Sequence, residues 1–193
     1  SPFVYMERDL HVHMPLGDFE SVEAYFADRG SDWKTIREDY KNAVAQSVST
    51  FEERLKELKQ RDLLESTLII FTSDHGEILG EHGCALHTSP AVPELVYVPT
   101  VFIHPSIDTN DFVPDPSQAI IEHVDVVKTA LRMAGHEHLD GSGVNLTSRD
   151  RSRDWGYNYI RVDRRDIEFY RADSIWWRDT GYVFARNSLV FRL

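Results

Sequence analysis

Residues 67–83, TLIIFTSDHGEILGEHG, pass directly from an apolar run into acidic and imidazole side chains. Asp74 and His75 come first after the apolar run, and together they can offer one oxygen and one nitrogen to a divalent cation. The same two residues could instead form a polar turn, because an Asp-His-Gly tripeptide has no spacing that is specific for a metal. The pattern therefore predicts either a metal site or a turn, placed where an apolar strand ends.

The apolar run itself is predicted to be a buried strand over residues 67–73. A long helix should lead into it, because Thr35 and Glu38 fit a capping box and apolar residues then recur at intervals of three and four. We expect this helix to end near Arg61. A helix followed by a continuously apolar strand is typical of an α/β layer whose strand is buried on both faces. Ligands bind such sheets at the carboxyl ends of the strands.

Other segments show weaker patterns. Residues 2–7 and 99–104 are predicted strands, and residues 18–29 are predicted to be weakly helical. Residues 119–124 read as a strand, followed by a helix with Asp125 as its N-cap and Gly135 as its end.

Beyond about residue 146 apolar and polar residues alternate, which predicts antiparallel strands. Tyr157 and Tyr159 should lie on the buried face of this sheet. Trp176 and Trp177 are neighbours on one strand and must face opposite ways, so one of them should be in the core and the other could contact a substrate.

Composition limits the class of protein. A chain of 193 residues with 41% hydrophobic content can bury one good core, so we expect one domain with a small appendage. A net charge of −11 argues against a nucleic-acid partner, which would require a basic face. No apolar run approaches the roughly 20 residues of a membrane span. The single cysteine, Cys84, excludes an internal disulfide and says little about the compartment.

The segment around Asp74 closely resembles the C-terminal metal-binding segment of the sulfatases, a family of the alkaline-phosphatase-like superfamily. Further segments resemble parts of that family in the same order along the chain: SPFVYMERDLHVHMP with its His-x-Pro loop, the long helix leading to LKQRDLLESTLIIFTSDHGE, PELVYVPTVFI, and EHVDVVKTALRMAG with DGSGVNL. The resemblance implies an α/β, alkaline-phosphatase-like fold, in which a mostly parallel sheet is covered by helices and followed by a small antiparallel C-terminal sheet. Residues 1–146 would be the C-terminal half of the catalytic domain, and residues 147–193 an antiparallel subdomain that the end of the chain could truncate.

The resemblance also implies roles for individual residues. Asp74 matches a metal carboxylate, and His75 matches the second ligand, where many relatives carry Asn. We therefore expect a divalent ion, with Ca²⁺ favoured and Mn²⁺ or Zn²⁺ also compatible with an imidazole. His13 matches a histidine that contacts the sulfate or protonates the leaving alkoxide. His87 lies where the family places a Lys or His that faces the sulfate oxygens, with Thr88 as the neighbouring candidate.

Other parts of a sulfatase do not occur in these 193 residues. The family's nucleophile is a formylglycine made from Cys or Ser in Cys/Ser-x-Pro/Ala-x-Arg, and two further aspartates bind its metal. Cys84 lies in CALHT and lacks that motif, so we expect it to be a small, partly buried side chain. The resemblance thus implies a formylglycine in a missing N-terminal part, and a chain that is inactive alone. The substrate of the complete enzyme would be a sulfate ester of a small molecule or carbohydrate.

Two alternatives stay open. One is a phosphodiesterase or phosphonate monoester hydrolase of the same superfamily, which shares the Asp-His pair. The other is a non-catalytic module that keeps the fold. His123 and His136, which flank the second predicted helix, are expected to be solvated.

Overall fold

The computed structural model describes these parts of the chain: residues 19–87, 92–108, 120–136, 141–148, 153–162, 170–177, 180–185 and 190–192. The chain divides into two compact units, one formed by residues 1–67 and 77–86 and the other by residues 68–76 and 87–193. The predicted strand over residues 2–7 lies outside the described residues, and the predicted boundary after residue 146 stays a prediction. Among the described helices, none has the length and apolar character needed to cross a membrane.

The first unit is built on helices α1 (Val22–Arg29) and α2 (Trp33–Gln60). The weakly helical segment predicted over residues 18–29 is therefore confirmed. Its core lies at the junction of the two helices, where Tyr25 and Ile36 are buried. The Tyr25 hydroxyl donates to Asp39 Oδ2 at 2.8 Å, which joins the helices by a polar bond at the edge of this core.

The predicted capping box at Thr35 and Glu38 is wrong, because α2 begins two residues before Thr35. Its N-cap is Asp32, whose Oδ1 accepts the Thr35 amide at 3.2 Å and whose Oδ2 accepts the Thr35 hydroxyl at 2.7 Å. A carboxylate satisfies the free amides of a first turn as well as a hydroxyl does, so Thr35 becomes part of that turn. The predicted helix end is confirmed, since Arg61 is the C-cap.

A short hairpin completes the first unit. Strand β2 (Ile78–Leu79) pairs antiparallel with β3 (Ala85–Leu86), and the Ile78 side chain is fully buried. Gly80 follows β2 with a φ of +103°, and a Cβ there would lie 2.5 Å from the Trp33 ring. Glycine is therefore required at this turn for both its conformation and its lack of a side chain.

In the second unit, β1 (Ile69–Thr72) pairs antiparallel with β4 (Thr100–Ile103), with Ile70 opposite Phe102. Both predicted strands are confirmed, each slightly shorter than expected. The expectation that β1 is buried on both faces is wrong for this chain, because three of its residues are half-buried and Thr72 is exposed. Within the described residues β1 has one neighbouring strand, β4, and the two are antiparallel. The described strands therefore include no example of the parallel pairing that was predicted for this sheet.

The described part of the strand predicted over residues 119–124, residues 120–124, is not a strand, because helix α4 (His123–Met133) begins within it. Its N-cap is Glu122 rather than Asp125. The Glu122 side chain accepts an amide of the first turn while Asp125 Oδ2 accepts the Glu122 amide at 2.9 Å, which is a capping box made of two carboxylates. The predicted end is confirmed, since the chain leaves the helix at Gly135 with a φ of +86°.

The start of α4 is anchored by buried charge. The Asp125 side chain is 1% exposed, and its Oδ1 accepts the Val144 amide at 2.7 Å and lies 3.1 Å from Arg153 Nη2. Arg153 also pairs with Glu122, whose other oxygen accepts the Tyr157 amide at 2.6 Å. These bonds connect the first turn of α4 to the loop that follows it and to the first strand of the tail.

The tail forms an antiparallel sheet, as predicted, and the sheet has four strands. Its strands pair in chain order: β5 (Trp155–Val162), β6 (Tyr170–Trp177), β7 (Thr180–Ala185) and β8 (Val190–Arg192). The predicted buried face is wrong, because Tyr157 and Tyr159 are exposed and the opposite face of the sheet is buried. The reason lies at Gly156, where a Cβ would stand 2.6 Å from Ile120, so the segment before α4 packs closely on the face that carries Gly156.

Candidate active site

The candidate site begins where β1 ends and β4 starts. The Thr72 hydroxyl donates to the Pro99 carbonyl at 3.0 Å and lies 3.1 Å from the Thr100 hydroxyl. These contacts fix the last residue of β1 against the first residue of β4. The four residues that follow, 73–76, leave the sheet from this fixed point and carry the predicted metal ligands.

Backbone contacts hold this loop in one conformation. The Ser73 hydroxyl donates to the His75 carbonyl at 2.6 Å, and the Gly76 amide donates to the Leu95 carbonyl at 2.9 Å in α3 (Pro93–Val96). A Cβ on Gly76 would overlap the Glu94 carbonyl oxygen. The loop therefore lies directly against the backbone of α3, which is why a glycine follows His75.

This close approach predicts the effect of one added methyl group. Gly76→Ala should lower the free energy of unfolding by about 1–3 kcal/mol, because the backbone carbonyl of Glu94 cannot rotate away from a new Cβ. Gly141→Ala is the matched control, since a Cβ there meets nothing within 4 Å. Urea denaturation of the two variants checks the prediction. Equal costs at the two positions would show that the contact with α3 does not explain the glycine.

The His75 ring is held in one tautomer. Its Nδ1 lies 2.8 Å from the Gly76 carbonyl oxygen, and a carbonyl can only accept, so Nδ1 carries the hydrogen. In the neutral imidazole Nε2 then has the lone pair, as a metal-binding nitrogen requires. Nε2 lies 3.9 Å from Asp74 Oδ1, so the candidate ligand atoms of the two residues are close together.

The Asp74–His75 pair fits a divalent cation. Metal bonds of about 2.1 Å to an imidazole nitrogen and about 2.4 Å to a carboxylate oxygen allow their donor atoms to be at most about 4.5 Å apart. The observed 3.9 Å lies inside that limit. The Asp74 side chain is 60% exposed and the His75 side chain 30% exposed, so both can reach a ligand from solvent.

The structure also places His87 beside His75. Their ring centroids are 4.4 Å apart with 34° between the planes, and their ligand nitrogens lie within 4.8 Å. A second imidazole at this distance can serve the same small ligand, either as a further donor to a cation or as an N–H donor to an oxyanion. His13 and Thr88 lie outside the described residues, so their predicted places at the site remain predictions.

Two other polar residues follow this loop in the sequence. Glu77, in the first unit, is desolvated by burial, which raises its pKa to about 7. Cys84 is exposed, so the expectation of a partly buried thiol is wrong. It follows the turn at residues 81–83, where its Sγ lies 3.6 Å from the His82 carbonyl and next to solvent.

Sequence reasoning missed His123. It is exposed, as expected, but its Nε2 also lies 2.8 Å from the carbonyl oxygen of Ser73, the residue before Asp74, and nothing in the sequence indicated this contact. The two residues are 50 positions apart along the chain, and no local pattern connects them.

These observations describe an α/β unit that presents a carboxylate and imidazoles at the end of a strand, followed by an antiparallel sheet. The sulfatase family model matches residues 3–136, and the chain belongs to the sulfatase family. The predicted family is thereby confirmed. The predicted alkaline-phosphatase-like fold class is confirmed by the likeness to solved sulfatase structures.

Across its whole length the chain is similar to low-salt glycan biosynthesis sulfotransferase Agl7 of Haloferax volcanii, with 34% identity over 205 aligned residues. It spans about half of that relative, 49% of its length. The solved structure of BT1596, a 2-O GAG sulfatase, matches 94% of this chain and 41% of its own, with a TM-score of 0.75 and 11% identity. The phosphonate monoester hydrolase SpPMH from Silicibacter pomeroyi matches 92% of this chain and 36% of its own, with a TM-score of 0.67 and 17% identity.

Proposed function

We propose that the complete protein hydrolyses sulfate esters at a metal site to which this chain contributes Asp74 and His75. The observation that carries the proposal is the His75 ring, whose Nδ1–H bond to Gly76 leaves the lone pair of the neutral ring on Nε2, 3.9 Å from an Asp74 carboxylate oxygen. Membership of the sulfatase family supports the reaction class. A polar turn alone would not need the imidazole to be fixed in the tautomer that binds metal.

The chain's own residues have distinct proposed roles. Asp74 and His75 would hold a divalent cation, with Ca²⁺ favoured and Mn²⁺ or Zn²⁺ compatible with the imidazole nitrogen. Such an ion would supply positive charge that stabilises the negative charge developing on the sulfate oxygens. His87, beside His75, would donate an N–H to one of those oxygens. His13 would protonate the leaving alkoxide, which is worth roughly 10²–10⁴-fold in rate for a general acid.

The nucleophile would come from outside this chain. By the family resemblance it is a formylglycine in an N-terminal part, together with two more metal-binding aspartates. The proposed substrate is a sulfated carbohydrate. This is supported by the names of two matches, a glycan biosynthesis sulfotransferase and a 2-O GAG sulfatase.

A second candidate is transfer of the sulfuryl group to a sugar hydroxyl instead of water. The sulfotransferase name belongs to the relative that is 34% identical over the whole chain, which favours this candidate. In the overall change of both reactions, the S–O bond to the leaving alkoxide breaks and a bond from sulfur to an oxygen of the final acceptor forms. The acceptor loses a proton and the leaving oxygen gains one. Only the identity of the acceptor differs.

Assays with the full-length protein test the proposal. We expect hydrolysis of an aryl sulfate that is lost with a chelator and restored by a divalent cation. Faster cleavage of an aryl phosphonate monoester would favour the phosphonate hydrolase alternative, which the likeness to SpPMH keeps open. Sulfation of an added sugar, at the expense of inorganic sulfate release, would favour transfer. No turnover of any of these substrates, with or without metal, would favour the non-catalytic module.

The isolated 193-residue chain is expected to give no appreciable turnover of an aryl sulfate. The reason is that its sequence has neither the formylglycine motif nor the two further metal-binding aspartates that the family resemblance implies. Purified chain and full-length protein, assayed side by side at equal concentration, check this. Comparable rates would mean that the chain has a nucleophile which the sequence comparison did not identify.

A further inference from the structure

Nothing in the family resemblance assigns a role to His123, yet its ring is bonded to the loop that carries Asp74. The ring Nε2 lies 2.8 Å from the Ser73 carbonyl oxygen, and that oxygen can only accept, so Nε2 carries the hydrogen. From this geometry we infer that His123 is a positioning residue, which sets the direction of Asp74 by holding the peptide that precedes it. The inference rests on the proposed function, because it concerns the same metal-binding loop.

The bonded carbonyl is well placed for this role. Ser73 is the first residue after β1, and the peptide between Ser73 and Asp74 is planar. Fixing the Ser73 carbonyl therefore fixes the plane from which the Asp74 Cα and side chain extend. Two other bonds hold the rest of the loop: the Ser73 hydroxyl reaches the His75 carbonyl, and the Gly76 amide bonds to Leu95. The Thr72 hydroxyl also lies 3.5 Å from the Ser73 carbonyl oxygen, at the limit of a hydrogen bond, so the 2.8 Å bond from His123 is the stronger hold on the peptide entering Asp74.

The His123 side chain extends from a rigid base. It occupies the first position of α4, between Glu122 and Asp125, whose side chains cap that helix. Asp125 is buried and bonded to Val144, and Arg153 pairs with both carboxylates. The backbone is held at both ends of this hydrogen bond, by the cap of α4 and by the pairing of β1. The bond therefore fixes the position of the Ser73 carbonyl relative to α4, because neither end can move to compensate for its loss.

A hydrogen bond with exposed partners contributes little to overall stability. Its loss should therefore change the loop more than the fold. A positioning role predicts a change in loop order and metal affinity with little change in Tm, whereas a structural role predicts a lower Tm.

The test compares three variants of the full-length protein. His123→Leu removes the N–H donor, His123→Gln keeps a donor at a similar distance from the backbone, and His136→Leu makes the same change at the exposed far end of α4. In the metal-free protein, NMR order parameters of the Asp74 and His75 amides should fall in H123L and remain at the wild-type value in H123Q and H136L. Calorimetric titration with Mn²⁺ should show a Kd about tenfold weaker in H123L alone. The Tm of each variant should stay within about 4 °C of wild type.

Each contrary result has a definite meaning. Unchanged order parameters and Mn²⁺ affinity in H123L, with binding weakened in Asp74→Asn, would overturn the role of His123 and leave the metal site standing. Unfolding of H123L with full rescue by H123Q would also overturn it, because the bond would then hold the whole unit. If Asp74→Asn binds Mn²⁺ as well as wild type does, the proposed metal site fails, and the metal-free order parameters alone decide the inference.

Discussion

Replacing Asp74 with asparagine is expected to lower kcat/KM for an aryl sulfate by about 10²–10³-fold in the full-length protein, with little change in Tm. The large effect follows because a group that stabilises developing charge at an active site is typically worth that much. Asparagine has the same shape and keeps one oxygen but loses the negative charge that strengthens binding of a cation. Stability should be retained because the Asp74 side chain is 60% exposed.

Asp154→Asn is the matched control for this prediction, since Asp154 is an exposed aspartate of the same unit and lies outside the loop. Steady-state kinetics and thermal melts of both variants provide the comparison. Wild-type kinetics in the Asp74 variant, under conditions where metal is limiting, would exclude Asp74 as a ligand. Equal losses in both variants would indicate a general effect of surface charge.

Replacing Trp176 with alanine is expected to lower the free energy of unfolding by about 3–5 kcal/mol, the usual cost of removing a large buried aromatic side chain. Trp176 is 5% exposed, its ring lies 5.7 Å from the Tyr97 ring, and a Cβ on Gly181 would overlap it at 2.7 Å. Trp177 is 56% exposed on the opposite face of the same strand. Trp177→Ala should therefore change stability by no more than about 0.5 kcal/mol.

A third variant, Trp176→Phe, separates ring volume from polarity. No group in the described part of the chain accepts a hydrogen bond from the buried Trp176 Nε1–H, so losing it should cost nothing and the remaining loss should reflect the smaller ring. Urea denaturation should rank the variants with Trp176→Ala least stable, Trp176→Phe next and Trp177→Ala close to wild type. A Trp177→Ala variant as unstable as Trp176→Ala would contradict the observed faces of β6.

The same pair tests whether the tail contacts substrate. Trp176 is too deeply buried to stack on a sugar, so only Trp177 remains a candidate. A lower kcat/KM in full-length Trp177→Ala, with unchanged stability, would identify such a contact. Unchanged kinetics would show that the tail acts as a scaffold.

Sequence reasoning was most successful where local chemistry determines structure. The apolar run before Asp74 and the alternating tail each carry a clear periodicity, so β1 and the four-stranded sheet could be predicted. Because the apolar run ends abruptly before Asp74, the position of the candidate loop after β1 could be predicted as well. His87 was chosen by family resemblance, and the structure places its ring 4.4 Å from that of His75.

The predictions failed where contacts between residues that are not adjacent in the sequence determine the structure. The buried face of the tail depends on Ile120 packing at Gly156, which no alternation within the tail can indicate. The start of α4 depends on a reciprocal bond between Glu122 and Asp125, and Asp125 considered alone was placed at the wrong position of the cap. The bond from His123 to Ser73 crosses 50 residues, so it required coordinates.

The central claim is that Asp74 and His75 bind the catalytic metal of a sulfuryl-transferring enzyme. The most direct measurement is anomalous diffraction from a Mn²⁺-soaked crystal of the full-length protein. We predict a peak about 2.0–2.6 Å from both His75 Nε2 and an Asp74 carboxylate oxygen, with His75 Nδ1 still bonded to the Gly76 carbonyl. A metal peak elsewhere, in crystals of protein that shows metal-dependent activity, would contradict the claim.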